Sequence, residues 1–375
     1  MTDIAPSAET PAMPTTPTPV VFVPEMEQPR EDEERDIERI VRALHGNNEY
    51  AFRKYKCGVR DAHAKSHGIL RGTLEVLPDL PNELAQGVFA TPRKYPVISR
   101  LSSTSGAIRS DQVQGVRGLG MKLVGVDPNA PRALPDDTAT TQDFIMVTHE
   151  EFLFADAHKY SRLGMVTAVT LARLPDPVLK GLSTALGVVG GRRLPETLAV
   201  FVRPNTHILG DEFYTSAPQL HGPYIAKLRC VPASPEVRAL MGQPVDDRPG
   251  INAFREMVID FFANHSADYR LEVQLCTNID TMPIEDATAH WNQVESPYIP
   301  VATIHYPVQD PYTPERRAFG DDVLSYNSWN GLAAHRPLGS INRLKKRVYE
   351  ASSNFRHQVN NAPRFEPATE SDLPE

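Results

Sequence analysis

The sequence predicts an α+β fold, on three observations. Segments with the two-residue alternation of strands fall in two blocks, one before residue 150 and one after residue 198. Helical periodicity lies between and after those blocks and does not alternate with single strands, which argues against a doubly wound parallel sheet. No nucleotide fingerprint is present: Gly115, Gly118 and Gly120 do not follow the G-x-G-x-x-G order, and GVVGGRR at 187–193 lacks the Lys-Ser/Thr of a phosphate loop.

Along the chain, residues 1–30 hold seven prolines among Ala, Thr and Ser, so they read as an extended arm or disordered tail, with VVFVP at 20–24 able to dock. A helix begins near Glu31, where Ile37, Ile40, Val41 and Leu44 recur at helical spacing, and Gly46 is a natural stop. Strands are expected at 68–78, 96–103, 117–125 and 143–147. The span 152–190 reads as helical, broken at Pro175 and Pro177. Strands resume at 198–203, 223–232, 269–276 and 301–307, with an amphipathic helix over 252–265. A last helix covers 341–357, with Ser340 as its N-cap. The sequence after 358 is a polar, loose tail.

Composition narrows the function. The 375 residues are 41% hydrophobic, enough for one large domain or two smaller ones. With 39 Lys and Arg against 47 Asp and Glu, the chain lacks the basic footprint of a general nucleic-acid binder. Cys57, Cys230 and Cys276 are odd in number and far apart, which gives no disulfide framework and no C-x-x-C site. No apolar run reaches membrane-spanning length and no secretory leader is visible, so a cytoplasmic location is expected.

Chemistry concentrates in VRDAHAKSHGILRG at 59–72, which places Arg60, His63, Lys65, His67 and Arg71 just ahead of a strand. A neutral imidazole can take a proton from one atom and return it to another, which suits hydrolysis and peroxide heterolysis alike. The same residues also read as a hydrogen-bonded His at a strand start, flanked by surface cations. His63 and His67 are four apart, like zinc ligands on a helix, but Ala64 stands where H-E-x-x-H needs Glu.

Arg60, His63, Ala64 and Lys65 resemble the R-x-x-H-A-K signature on the distal side of the haem catalases. In the same order, RLSSTSG at 100–106 and GVRGLGMKLVG at 115–125 resemble that family's next two strands. GPYIAKLRCVP and MPIEDATAHWNQVESPYIPVATIHYPVQ are similar to its later ones. The resemblance spans roughly residues 50–350 and is closest to small, divergent catalase-related proteins without the carboxy-terminal domain.

The resemblance implies an eight-stranded antiparallel β-barrel with flanking helices over 31–358, an arm at 1–30, a tail at 359–375, and haem b. His63 would be the distal base, Ser102 its hydrogen-bond partner, and Tyr326 the axial iron ligand. His335 is the rival axial group. Arg60 and Arg100, with Arg71, would face the haem propionates, while Phe144, Met146, Phe152 and Phe154 would line a substrate pocket. Two departures stand out. Asp322 occupies the place of the arginine that activates the axial tyrosine, so Arg336, Arg343 or Arg347 would have to replace it. No Asn lies in DTATTQDFIMV, which leaves Gln142 or Thr140 in the role of the distal amide.

The activity implied is reduction of hydrogen peroxide or an organic hydroperoxide, with an organic reductant as possible partner. The alternatives are conversion of a lipid hydroperoxide, in the manner of allene oxide synthases, hydroperoxide lyases or peroxygenases, and a non-catalytic haem-binding barrel. A homodimer or homotetramer is expected from the family's habit of assembling through arms.

Overall fold

The computed structural model describes residues 18–190, 202–245 and 250–375. Its centre is one antiparallel sheet built from β1 (Lys65–Val76), β2 (Lys94–Ser103), β3 (Arg117–Val124), β4 (Thr141–Val147), β5 (Phe213–Tyr214), β6 (Gln219–His221), β7 (Tyr224–Pro232), β8 (Ala267–Leu275) and β9 (Ile299–Tyr306). The neighbour order is β5-β4-β3-β2-β1-β9-β8-β7-β6, and β5 also pairs with β7. That last pairing closes the sheet into an eight-stranded barrel, with β6 as a hairpin extension outside the ring.

Period two sorts each strand. Leu119, Met121 and Leu123 of β3 point inward with Phe144 and Met146 of β4 and Val97 and Leu101 of β2, forming the barrel core. Each such side chain contributes about 1.5–3 kcal/mol on burial. The alternate residues form three rows across the outer face of β4, β3, β2 and β1. These are Val147–Gly118–Ser102–Ser66, Ile145–Gly120–Arg100–Ile69 and Asp143–Lys122–Ile98–Arg71.

Helices cover this outer face. α1 (Glu33–Tyr55) runs straight through Gly46, where the sequence suggested a stop. Asn47, Asn48 and Ala51 beyond it are buried, so tertiary packing outweighs the propensity cost of one glycine. The predicted helical span starts later than 152, at Ala157–Lys159, and continues through a π turn, Tyr160–Gly164, into Met165–Arg173; together these form α2. α3 (Asp176–Gly190) follows Pro175, with Pro177 tolerated in its first turn. α4 is Ala253–Phe262 and α5 is Ser340–Asn360. The cap of α5 falls on Gly339, at φ 80°, and not on Ser340. The Ser340 hydroxyl instead accepts from the Ala157 N–H at 3.0 Å.

The strand expected at 198–203 lies outside the described residues except for 202–203, which form a turn and bend. Both ends of the described chain are docked. Val20 and Phe22 N–H groups donate to Cys276 and Pro223 carbonyls. The tail is not loose: Leu373 is buried against Ile69, Ile98 and Leu324, and Glu366 pairs with Lys122 at 2.7 Å. No helix among the described residues is long and apolar enough to cross a membrane.

Candidate active site

A small cavity of about 80 Å³ lies between the outer barrel face, the segment before Tyr326, and α5. His63 sits ahead of β1 in the left-handed region, at φ 58°. A histidine there costs of order 1 kcal/mol or more and persists only where its surroundings hold it. Here the His63 N–H donates to Thr104 O, and the Ala64 N–H to Ser105 O. The imidazole packs against β3: a Cβ added at Gly118 would come within 2.3 Å of it. His63 Nδ1 and Ser102 Oγ are 2.9 Å apart, and the Ser102 hydroxyl donates to Gly118 O at 3.3 Å. Since the hydroxyl has one proton, this network assigns the ring proton to Nδ1 and leaves Nε2 as a free base. Burial, then Arg100, Arg60 and Lys345, push the imidazole down to about 3, so it stays neutral at physiological pH.

Two residues along β3, about 6.8 Å away in an extended strand, Gly120 accommodates the Tyr326 ring, which a Cβ there would meet at 3.1 Å. The Tyr326 hydroxyl donates to Ile98 O at 3.2 Å, in the third row, away from Ser102 and His63. Burial and then Asp143 push its pKa well above the usual phenol value, against the pull of Arg100 and Arg60. The Lys122 ammonium stands 5.6 Å from the ring centroid and is clamped by Asp143 and Glu366, each at 2.7 Å.

The segment leading to Tyr326 is held by arginines. Arg60 donates to the carbonyls of Gly320, Asp321 and Leu324, and Arg356 to those of Asp321, Asp322 and Leu324. Arg100 donates through Nε and Nη2 to Asp321 Oδ1, and the Ser66 hydroxyl donates to Oδ2. Burial alone would raise the Asp321 carboxyl, but Arg100 and Arg60 outweigh it and hold the group ionised below its ordinary range.

The cavity thus brings together His63, Ser102, Arg60, Arg100 and Tyr326 of the sequence-predicted residues. It does not include Gln142, Phe144, Arg336, Arg343, Arg347 or His335. Gln142 and Phe144 occupy the even, inward positions of β4: Gln142 Oε1 accepts from the Leu332 N–H at 2.8 Å, and Phe144 stacks on Phe89. Their odd-numbered neighbour Ile145 faces the cavity instead; in a strand, an offset of one residue moves a side chain to the other face. Arg336 pairs with Glu27 at 2.9 Å, and Arg343 with Glu27, Glu33 and Glu285 at 2.6–3.0 Å. Both are therefore committed to the N-terminal acids and not to the tyrosine, and Arg347 pairs with Glu34. His335 is buried beside Phe89 and Phe144, where its Nε2 accepts from the Val88 N–H.

Sequence reasoning missed Asp321, Arg356, Asp61 and Tyr349. The Asp321–Asp322 pair was read only at its second member, and Arg356, Ser353, Ser352 and Tyr349 share one face of α5, a periodicity available in the sequence. The zinc alternative finds no support among the described residues: the three-ligand groupings there are Asp32, Asp36 and His158, and Glu150, Glu151 and His290, neither containing His63 or His67.

No protein-family pattern matches the chain, and no curated protein sequence matches it. Solved structures do. A fungal catalase aligns with a TM-score of 0.55 at 13% identity, covering 83% of this chain and 63% of its own. A bacterial catalase gives 0.56 at 17%, with 86% and 63% covered. Catalase A from Saccharomyces cerevisiae gives 0.56 at 14%, with 84% and 67%. The chain has a catalase-like fold and spans about 63% of the length of the first two.

The haem b implied by the sequence resemblance can be tested against the site. Bare glycine backbone at 118 and 120 leaves His63 and Tyr326 resting on one strand with the cavity beside both, and Arg60, Arg100 and Arg356 border it. Imidazole, phenol and guanidinium groups are the chemistry such a cofactor needs. The residues fit, with one condition: the Tyr326 oxygen must give up Ile98 O to act as a donor.

Proposed function

We propose that the chain is a haem-dependent oxidoreductase that cleaves the O–O bond of peroxides. The observation that carries this reading is the His63–Ser102–Gly118 relay, a neutral base in a strained backbone conformation lining the cavity between the barrel face and α5. Tyr326 would hold the haem iron through its oxygen, and Arg60, Arg100 and Arg356 would supply cations for the carboxylates of the group. A bound haem would supply a Lewis-acidic iron to hold the peroxide and the two electrons that O–O cleavage consumes, which a second peroxide or an organic donor would restore. His63 Nε2 takes the proton from the inner oxygen of the peroxide and hands it to the departing one, while Ser102 fixes the ring and its tautomer. Adding haem b to the purified protein should produce a Soret band and peroxide consumption; absence of any haem absorption overturns the reading.

A second reading, turnover of an organic hydroperoxide in preference to hydrogen peroxide, is favoured by the cavity wall. Ala62 and Ile145 contribute apolar surface, and no Asn or Gln lines it among the described residues. Comparing cumene hydroperoxide with hydrogen peroxide separates the two. Self-association into a homodimer or homotetramer belongs to the same proposal and is checked by light scattering.

A further inference from the structure

Away from the His63 cavity, two groups of side chains bring three metal-ligating atoms within 4.8 Å of one another: Asp32, Asp36 and His158, and Glu150, Glu151 and His290. The first group satisfies itself. Asp36 Oδ1 accepts from the Ser161 hydroxyl at 2.9 Å and its Oδ2 faces His158 Nδ1 at 2.6 Å, while Asp32 accepts from Arg30 and Arg35. The second group does not. His290 Nδ1 lies 2.5 Å from Glu151 Oε1 and 3.8 Å from Glu150 Oε2, so one imidazole stands between two carboxylates. Glu150 Oε1 is enclosed and accepts no hydrogen bond from the described residues. A buried carboxylate oxygen without a donor is costly, and it marks a place for water or an ion.

A neighbouring phenol and the local charge favour the ion. Tyr298 is 8% exposed, and its hydroxyl is enclosed and also without a partner among the described residues. Glu150 is the charge that acts on it most, and Glu151 reaches it too, so the phenol oxygen faces the carboxylates. Lys227 is buried in the same region, where Glu151, Glu150 and Asp286 all act on it. Its ammonium donates to Ala289 O at 3.3 Å and lies 4.9 Å from the Trp291 ring centroid, serving neither glutamate directly. Arg229 is committed to Glu272 at 2.6 Å. Three carboxylates against one ammonium leave two negative charges, which a divalent cation balances.

We propose that Glu150, Glu151 and His290 bind a divalent transition metal of the zinc type, with water completing its coordination. Carboxylate and imidazole together suit zinc, whereas magnesium and calcium take oxygen ligands alone. Tetrahedral zinc wants ligand atoms about 3.3 Å apart, so the 3.8 Å separation closes by side-chain rotation. The backbone holds the ligands ready. Glu150 and Glu151 follow β4 and His290 precedes β9, and these two segments are already joined: the Phe152 N–H donates to Ala287 O and the Ala287 N–H to Ala155 O, each at 2.9 Å. The metal would fasten the two segments together, independently of any haem.

Calorimetry with zinc chloride on the purified full chain, first freed of metal with a chelator, should show a single equivalent bound, and magnesium chloride little or none. Glu150→Gln and His290→Ala should each weaken zinc by at least roughly tenfold, and His158→Ala should leave it unchanged. His290 is largely exposed, so its replacement spares the fold, which melting of the metal-free variant checks. X-ray absorption at the zinc edge should show one imidazole among oxygen ligands. Absence of zinc binding, equal binding of magnesium, zinc affinity that survives both Glu150→Gln and His290→Ala, or its loss in His158→Ala would overturn the proposal.

Discussion

The two sides of the cavity are built by different means. On the His63 side, the ladder of β2 and β3 sets the side-chain contacts: Ser102 is fixed opposite Gly118, and the imidazole rests on both. On the Tyr326 side, a π turn at Phe319–Val323 and an irregular segment present the ring, and guanidinium groups hold their carbonyls. A strand ladder repeats in any chain with the right alternation. A loop must be stabilised by side chains that are particular to it. The His63–Ser102 contact therefore follows from strand register, whereas the Tyr326 side adds Asp321, which shares Arg100.

If the His63 side is the chemical one, its loss should cost the most. His63→Ala should slow peroxide cleavage by roughly 10²–10⁴-fold, the usual loss for a general acid–base group, while haem uptake persists. Stopped-flow absorbance on the haem-loaded variant measures this; a rate within threefold of native would make the Tyr326 side the chemically decisive one.

The Tyr326 side should fail through stability first. Asp321→Asn leaves Arg100 buried with its charge uncompensated, Arg100 being 3% exposed. Breaking such a pair costs about 3–5 kcal/mol. Urea unfolding should show that loss. A midpoint like that of the native chain would mean that the backbone carbonyls alone hold the segment.

Legibility in the sequence followed the same division. Barrel strands, His63 and Ser102 could be read because two-residue alternation and a compact R-x-x-H-A-K segment are local. Tyr326 was singled out from L-S-Y, but its surroundings were not. Arg336 and Arg343 lie near it in sequence, yet they pair with Glu27 and Glu33, more than 300 residues away along the chain. Long-range charge pairing leaves no local pattern. Gln142 and Phe144 were lost for a smaller reason: the segment was identified correctly and its facing was off by one.

The glycines under the two rings sharpen the contrast at lower cost. Gly118→Ala would put a methyl group 2.3 Å from His63, beyond what side-chain adjustment absorbs, whereas Gly120→Ala meets Tyr326 at 3.1 Å, where a shift of a few tenths of an ångström suffices. Overpacking of the first kind costs about 1–3 kcal/mol. Thermal unfolding and cleavage rates should both rank Gly118→Ala as the worse variant; equal effects would show that His63 is as mobile as the tyrosine.

The smallest effect separates His63 from its neighbour Asp61. Burial raises the Asp61 carboxyl from its ordinary value to about 6, above the value it has in an unfolded chain. The native state therefore binds the extra proton between about pH 4 and 6, and stability contributed by Asp61 is present below that window and lost as pH rises through it. His63 behaves oppositely. Its folded value, about 3, is below the unfolded one, so its contribution is present above about pH 6.5 and is lost as pH falls toward 3. Asp61→Asn should thus be more stable than the native chain at pH 7.5, by roughly 1–3 kcal/mol, and equal to it near pH 4. Its cleavage rate should lose any inflection near pH 6, because His63 does not titrate there. Denaturant midpoints at the two pH values and a pH–rate profile test both halves. An inflection near pH 6 that survives in Asp61→Asn would assign it to His63 and remove the picture of a permanently neutral base.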